Sequence, residues 1–119
     1  MAFKFYNPNP LEKCLYDSAV RTIAVITNTS WEQAYIDLCE HGMHMGEMVN
    51  RRVIHSYFNS LGFMKEEAQG TVQGLSGYLG KVILEVGDYY IPVIDGDYID
   101  AFNLGSETVD SIWRDSYAV

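Results

Sequence analysis

Ser18 is the residue whose position most favours nucleophilic chemistry, because it follows Asp17 at the start of an apolar helical repeat. A side chain in the first turn of a buried helix lies near free N–H groups and the positive end of the helix dipole, where thiol enzymes hold their nucleophile. The chemistry also needs a base, often a histidine on a strand, and an acid or amide that orients it. A hydroxyl is less acidic than a thiol, so it depends more strongly on that base.

The cysteines and histidines suggest no other reactive centre. Cys14 and Cys39 are too few for a disulfide framework and form no CxxC pair, so we expect two reduced thiols that simply pack. His41, His44 and Glu47 follow i, i+3, i+6 spacing and could gather on a loop, but ordinary surface or capping roles are favoured over a metal site. The sequence therefore predicts no metal and no cofactor.

Three capped helices are predicted in the first half of the chain. Each has a polar residue before an apolar stripe of period 3.6 and a residue suited to a helix end after it. The residues that flank the start and the end of the three helices are Asp17 and Asn28, Ser30 and Gly42, and Asn50 and Gly62. A short fourth helix is predicted at 71–79 from three apolar positions. These helices would place Ser18 in the first turn of the first of them.

After Gly80 the apolar period changes from 3.6 to 2, which is typical of strands. Strands are predicted at 81–86, 89–94 and 97–102, and 108–113 is either a final strand, which is favoured, or a turn of helix. The first three are separated by Gly87-Asp88 and Asp95-Gly96, both of which suit two-residue hairpin turns. Hairpins join antiparallel neighbours, so these segments predict an antiparallel sheet.

The order of helices followed by strands predicts the α+β class. With 119 residues and 48% apolar content, the chain has the size of one domain spanning 1–119, with a helical half at about 16–79 and a strand half at about 81–114. The loosely structured stretch is 65–70. No apolar run reaches the roughly 18 residues of a membrane span, and the N-terminus holds prolines instead of a secretory signal, so we expect a cytoplasmic protein.

Four motifs in order resemble small phage and prophage proteins of the papain-like, or transglutaminase-like, cysteine peptidase class. YDSAVRTIA at 16–24 resembles their D-C-V-V-R-A-I-A opening, and the segment 29–38 resembles their second helix. HMGEMVN at 44–50 resembles E-M-G-x-M-x-N, VIDGDYID at 93–100 is similar to V-V-D-G-x-x-x-D, and Trp113 stands at a late tryptophan. The resemblance covers nearly the whole chain and implies the papain-like fold.

Two residues of this chain differ from the family pattern, and these differences determine which activity the resemblance implies. Ser18 stands where the family has its nucleophilic cysteine, and Tyr89, seven residues before Gly96, stands where it has histidine. The acid is retained at Asp100. The resemblance thus implies a degenerate triad of Ser18, Tyr89 and Asp100 in one cleft. A neutral phenol is a poor base, and loss of two triad members typically costs on the order of 10⁴ to 10⁶ in rate, so we expect no peptidase activity.

The strand half is acidic within a chain of net charge −8. Between Lys81 and Arg114 there are seven acids and no basic residue: Glu85, Asp88, Asp95, Asp97, Asp100, Glu107 and Asp110. An acidic field repels phosphates and attracts basic proteins. We therefore expect a protein partner that is basic or itself binds nucleic acid, and we expect neither direct nucleic-acid binding nor membrane binding.

Aromatic residues flanked by acids form the predicted binding surface. Some of Tyr89, Tyr90, Tyr98 and Phe102 should make a cross-strand aromatic patch beside Ser18, either as half-buried sheet packing, which is favoured, or as a recognition surface. The candidate binding residues are Tyr90, Tyr98, Phe102, Asp95 and Asp97. Tyrosines beside carboxylates suit a basic, partly apolar partner.

The preferred hypothesis is a catalytically inactive, phage-type protein that binds a host or phage protein, for example to inhibit a host defence in the host cytoplasm. One alternative is an active hydrolase or amide transferase of the papain-like class. In it Ser18 replaces the cysteine naturally or by engineering, or Cys14 is the nucleophile. Another alternative is a structural component that associates through the faces of Trp31 and Trp113.

Overall fold

The computed structural model describes residues 2–14, 16–75, 77 and 80–115. Within these residues six strands and four helices follow one another along the chain. In order they are β1 (Phe3–Phe5), α1 (Ser18–Thr27), α2 (Trp31–Met45), α3 (Arg51–Ser60), β2 (Phe63–Glu67), α4 (Val72–Leu75), β3 (Lys81–Val86), β4 (Tyr89–Ile94), β5 (Asp97–Asp100) and β6 (Ser111–Asp115). The predicted α+β class is confirmed.

The strands form one sheet in the order β1-β5-β4-β3-β6-β2. β1 pairs with β5 in parallel, and the other neighbours are antiparallel. The prediction of a purely antiparallel sheet is therefore wrong at β1. Three residues are too few to show a period, and parallel pairing across the whole chain leaves no turn signal in the sequence.

The stretch predicted to be loose, 65–70, is half strand. β2 covers its first residues and pairs with β6, with Lys65 opposite Trp113. Only Phe63 of this strand is buried. An edge strand with one buried side chain shows no apolar alternation, so the sequence pattern of β2 resembles that of a loop.

The predicted helix starts are correct, and one predicted end is not. Ser30 Oγ accepts a hydrogen bond from Gln33 N at 3.1 Å, and Asn50 Oδ1 accepts one from Val53 N at 2.9 Å. α2 continues past Gly42 to Met45, and Gly46 takes the left-handed conformation that ends it. Gly42 instead allows the chain after the helix to approach closely. A Cβ at Gly42 would lie 2.8 Å from the carbonyl oxygen of Glu47.

α4 is shorter than the helix predicted at 71–79. It covers only Val72–Leu75, and residues 76, 78 and 79 lie outside the described residues. Its first residue, Val72, is fully buried and packs with the strands. α4 is therefore a single helical turn that covers part of one face of the sheet.

Both faces of the sheet are covered, which explains the unbroken apolar runs of the central strands. One face packs against α1, α2 and α3 through residues that include Ile23, Leu38 and Phe58. The opposite face packs against α4 and the segment before β6, through residues that include Val72 and Val109. Alternate residues of β3 and β4 thus enter different cores, and the N-terminus of α1 meets β4 on the first face.

Candidate functional site

Ser18 begins α1 at the point where this helix crosses β4. Its side chain is 7% exposed, and its Oγ accepts a hydrogen bond from Tyr90 N at 3.2 Å. One turn later, Thr22 Oγ1 donates to the carbonyl oxygen of Tyr90 at 3.1 Å. These two contacts hold the start of α1 against one residue of β4, which places Ser18 at a helix N-terminus on the sheet.

Tyr89 and Asp100 meet where β4 begins and β5 ends. The Tyr89 hydroxyl donates to Asp100 Oδ1 at 2.7 Å. Arg21 Nη1 donates to the same carboxylate oxygen at 2.9 Å, and Arg21 Nη2 donates to the Tyr89 hydroxyl at 3.0 Å. Arg21 is 4% exposed and thus joins the two residues in a buried triangle. The sequence analysis missed Arg21, although a single cation in an apolar helix was a visible signal.

Asp17 extends this network instead of capping α1. Its carboxylate makes no capping hydrogen bond, so the predicted capping role is wrong. Asp17 Oδ1 accepts from Arg21 Nε at 3.1 Å, and Asp17 Oδ2 accepts from Asn9 Nδ2 at 3.0 Å and from Trp31 Nε1 at 3.2 Å. These three partners, of which Arg21 lies one turn along the same helix, use both oxygens of the carboxylate, so it does not bond to the free N–H groups of α1. We call Asp17, Arg21, Tyr89 and Asp100 the arginine network.

In the arginine network, burial favours the neutral, protonated form of the Tyr89 side chain. Burial raises the pKa of Tyr89, and its hydrogen bond to Asp100 raises it further, against the opposing effect of Arg21. Burial also raises the pKa of Asp100, although Tyr89, the N–H of Ala101 and Arg21 lower it. For Arg21, burial lowers the pKa, but the interactions with Tyr89 and the carboxylates outweigh burial and raise it. Tyr89 therefore remains a protonated hydrogen-bond donor.

A cavity of about 470 Å³ opens beside Ser18. Its lining residues are Cys14, Tyr16, Ser18, Ala19, Ile54, Asp88, Tyr89 and Tyr90. We call it the Ser18 cavity. Two of the three predicted triad positions line it, while Asp100 is absent from its lining and lies behind the Tyr89 hydroxyl. Tyr16 was not among the predicted site residues, and Cys14 was considered only as an alternative nucleophile; both reach the cavity through the path of the N-terminal segment.

The predicted aromatic patch is not formed by Tyr90 and Tyr98. Tyr90 packs with the helices, whereas Tyr98 belongs to the core on the other face of the sheet. Tyr98 lies opposite Val93 in the β4–β5 pairing, and residues of one strand alternate between faces, so Tyr98 cannot share a face with Tyr90. Its ring packs on Phe3 at 5.6 Å between centroids. Phe102, beyond the end of β5, is 51% exposed.

Asp95 and Asp97 have local structural partners. Asp95 Oδ1 accepts a hydrogen bond from Gly80 N at 2.8 Å in the hairpin turn. Asp97 Oδ1 accepts from Ala2 N at 3.3 Å and its Oδ2 lies 3.9 Å from Lys4 Nζ. Both remain at or near the surface and contribute to its negative charge, while two of the seven acids of the strand half, Glu85 and Asp100, are buried.

Glu85 is the centre of a second buried network that the sequence analysis missed. This fully buried carboxylate accepts from Trp113 Nε1 at 3.0 Å and from Arg51 Nη2. His55 Nε2 lies 3.3 Å from Glu85 Oε1 and 3.0 Å from the Tyr90 hydroxyl. A glutamate inside the apolar run KVILEV was the available signal, because a buried carboxylate requires partners.

Acidification is expected to destabilise the fold through His55. Burial is the main cause that lowers the pKa of His55; Glu85 opposes it, and Lys65 and Arg51 add to it. The unfolded chain therefore binds this proton more strongly than the folded chain. The stability contributed by neutral His55 is complete above the ordinary pKa of histidine and is lost as the pH falls toward the lower folded pKa. Urea denaturation at about pH 7.5 and about pH 5.5 measures this loss.

His55→Gln isolates the effect, since it removes the titrating ring. The variant should lose less stability on acidification than the wild type. His44→Gln removes an imidazole from the exposed side of α2 and should follow the wild type. The raised pKa of Asp100 has the opposite sign, because it favours the folded state as the pH falls, and it acts equally in all three proteins. Equal pH dependence in wild type and His55→Gln would contradict the prediction.

Two of the three residues weighed as metal ligands, His41 and Glu47, have other partners. His41 Nε2 lies 2.9 Å from Ser56 Oγ, and Glu47 Oε1 lies 3.1 Å from Arg52 Nη2. Within the described ranges, no group of three or more His, Cys, Asp or Glu side chains could hold a metal ion. In the same part of the chain, no helix has both the length and the apolar character needed to cross a bilayer.

Comparisons of the chain with protein-family models, with curated proteins and with solved structures find no match. The established architecture is thus the α+β arrangement itself, with helices and a six-stranded mixed sheet. What the chain does has to be inferred from its own residues: a hydroxyl at a helix N-terminus, a phenol fixed by Arg21 and Asp100, and an open cavity beside them.

Proposed function

We propose that this chain is a catalytically inactive, papain-like protein that acts by binding another protein. The observation that carries the proposal is the state of Tyr89. Its hydroxyl donates a hydrogen bond to Asp100 at 2.7 Å and accepts one from Arg21 at 3.0 Å. The hydroxyl hydrogen and the oxygen are therefore both engaged in hydrogen bonds. Its raised pKa keeps it protonated. A residue in this state cannot take a proton from Ser18.

The relative positions of the three degenerate residues support the papain-like part of the proposal. A helix N-terminus on the sheet holds Ser18, the start of β4 holds Tyr89, and the end of the neighbouring β5 holds Asp100. This order of nucleophile, base and orienting acid is the one that the sequence resemblance implies. The hydrogen bond between Tyr89 and Asp100 occupies the place of the contact between base and acid.

In the part of the chain that the structure describes, no proton acceptor is hydrogen-bonded to Ser18 Oγ, which supports loss of catalysis. Among the described residues, the three histidines are accounted for elsewhere: His41 by Ser56, His55 by Tyr90 and Glu85, and His44 on the exposed side of α2. The hydrogen-bond partner of Ser18 Oγ is the N–H of Tyr90, which donates a hydrogen bond and cannot accept a proton. A serine with no proton acceptor is not activated as a nucleophile.

Surface charge supports a basic protein as the partner. The chain carries a net charge of −8, and Asp88, Asp95, Asp97, Glu107 and Asp110 of the strand half lie at or near the surface. Such a surface attracts a basic protein at long range and repels phosphates. A host protein that itself binds nucleic acid has the matching charge, and inhibition of such a protein is the role we propose.

Active-site labelling tests the proposal. The wild-type chain, treated with a fluorophosphonate and with an iodoacetamide probe and then mapped by peptide mass spectrometry, should carry no label at Ser18. A peptide-amide substrate mixture should remain intact. The iodoacetamide probe should label the exposed Cys39, which reports that the reaction worked.

The variants Ser18→Cys and Ser18→Cys/Tyr89→His provide the matched comparison. The introduced imidazole next to Asp100 should favour the thiolate of the introduced cysteine, so the double variant should be alkylated faster than the single variant below neutral pH. Label at Ser18 or Cys14 of the wild type together with amide cleavage would overturn the proposal. Equal alkylation rates of the two variants would contradict its papain-like part.

A further inference from the structure

Tyr16 is held in a conformation that bulky residues rarely adopt. Its φ is 59°, in the left-handed region, and its side chain is fully exposed at the mouth of the Ser18 cavity. Such a conformation is costly for a tyrosine and persists at sites where function requires it. A fully exposed ring gains little from packing within its own chain. The strained backbone thus holds an exposed ring next to the cavity, where it is accessible to a partner.

The Ser18 cavity next to this ring is apolar inside and acidic at its rim. Ala19, Ile54 and Tyr90 contribute apolar surface. Asp88 contributes a carboxylate whose side chain is 96% exposed and whose Oδ1 lies 3.4 Å from Arg51 Nη1 in a solvated ion pair. No Lys, Arg or His is among the described residues that line the cavity. The apolar wall suits an apolar side chain, and the rim together with the acidic strand half suits a positive charge next to it.

We propose that the Ser18 cavity binds a partner segment in which a bulky apolar side chain is flanked by Lys or Arg, with Tyr16 packing over that side chain. This inference rests on the proposed binding function and names the chemistry of its partner. The apolar side chain enters between Ala19 and Ile54. The flanking cation pairs with the exposed carboxylate of Asp88 beside Arg51, whose guanidinium is shared with Glu85. The Ser18 hydroxyl accepts from Tyr90 N, and no residue within the described ranges accepts its hydrogen, which can donate to a carbonyl of the segment.

The test uses the full chain labelled with ¹⁵N and three capped hexapeptides of equal length. One has Phe flanked by Lys and Arg, one has Phe flanked by two Glu, and one has Ala flanked by Lys and Arg. Only the first should shift the amide resonances of Ser18, Ala19 and Tyr89 saturably. The other two should bind at least about tenfold more weakly, because each lacks one of the two complementary groups.

Charge reversal at the rim tests the cation contact. Asp88→Lys should weaken binding of the basic aromatic peptide by roughly fivefold to tenfold, since a rim charge contributes modestly. Glu107→Lys is the matched control: it makes the same charge change at an exposed residue that does not line the cavity, and it should change affinity by less than about twofold.

Tyr16→Asn separates a binding role from a structural one. Asparagine tolerates the left-handed conformation, so relief of strain should raise the midpoint of urea denaturation. Loss of the ring should at the same time weaken peptide binding by roughly threefold to tenfold. A residue with a purely structural role would not give higher stability together with lower affinity.

The outcomes separate this inference from the proposed function. Equal binding of the acidic peptide, no binding of any peptide, or resonance shifts confined to other surfaces would overturn the inference and leave the inactive binding module standing. Cleavage of a peptide during the titration, seen as new peptide resonances, would overturn the proposed function. Selective, uncleaved binding of the basic aromatic peptide supports both.

Discussion

Arg21→Met is expected to lower the free energy of unfolding by about 3–5 kcal/mol. The side chains of Arg21, Asp17 and Asp100 are 5%, 8% and 3% exposed, so water cannot replace the lost cation. The variant would leave two buried carboxylates without their charged partner, and Asp100 Oδ2 already has no hydrogen-bond partner among the described residues. Urea denaturation followed by tryptophan fluorescence measures the change.

An exposed arginine provides the control. Arg52→Met removes an arginine whose side chain is 77% exposed and whose ion pair with Glu47 is solvated, so its cost should stay below about 1 kcal/mol. Adding Asp100→Asn to Arg21→Met should recover part of the loss, because it removes one of the unpaired charges. A cost for Arg21→Met as small as that for Arg52→Met would show that the arginine network contributes no specific stability.

Glu85→Ala is expected to cost about 2–3 kcal/mol. It removes the acceptor of the Trp113 indole N–H, which is buried, and it empties a fully buried site. The loss of the ion pair with Arg51 should add little, because the Arg51 side chain is 54% exposed and water can solvate it. Thermal or urea unfolding measures the cost, and the fluorescence of Trp113 should shift as its environment changes.

The conservative variant distinguishes the hydrogen bond from the charge. Glu85→Gln keeps an oxygen for Trp113 Nε1–H and should cost about 1 kcal/mol or less, whereas the alanine variant leaves the donor unpaired. Glu107→Ala, at an exposed position, should change stability by less than about 0.5 kcal/mol. Equal costs for the glutamine and alanine variants would mean that the negative charge, and not the indole hydrogen bond, is the important contribution.

The arginine network and the Glu85 network both hold residues that line the Ser18 cavity. The Tyr90 side chain reaches His55 of the Glu85 network, and the backbone of Tyr90 contacts Ser18 and Thr22. The neighbouring Tyr89 belongs to the arginine network. Residues 89 and 90 are therefore fixed on both sides of β4, so the wall of the Ser18 cavity that they form is rigid, which lowers the entropic cost of binding.

Local pattern predicted most of the elements of the fold. The stripes of period 3.6 with Ser30 and Asn50 before them gave α2 and α3 their correct starts, and the turns at Gly87-Asp88 and Asp95-Gly96 gave the hairpins β3–β4 and β4–β5. Such signals work because a cap or a two-residue turn depends on residues within one or two turns of chain. Tertiary structure is not needed to recognise them.

The sequence by itself determined the α+β class, the helix starts and the hairpins. Only the tertiary structure decided the partners of the buried carboxylates. Arg21 reaches Asp100 across 79 residues, Glu85 meets Trp113 across 28, and β1 pairs with β5 from the opposite end of the chain. Pairings of this kind depend on how the layers pack, which no local pattern of residues encodes.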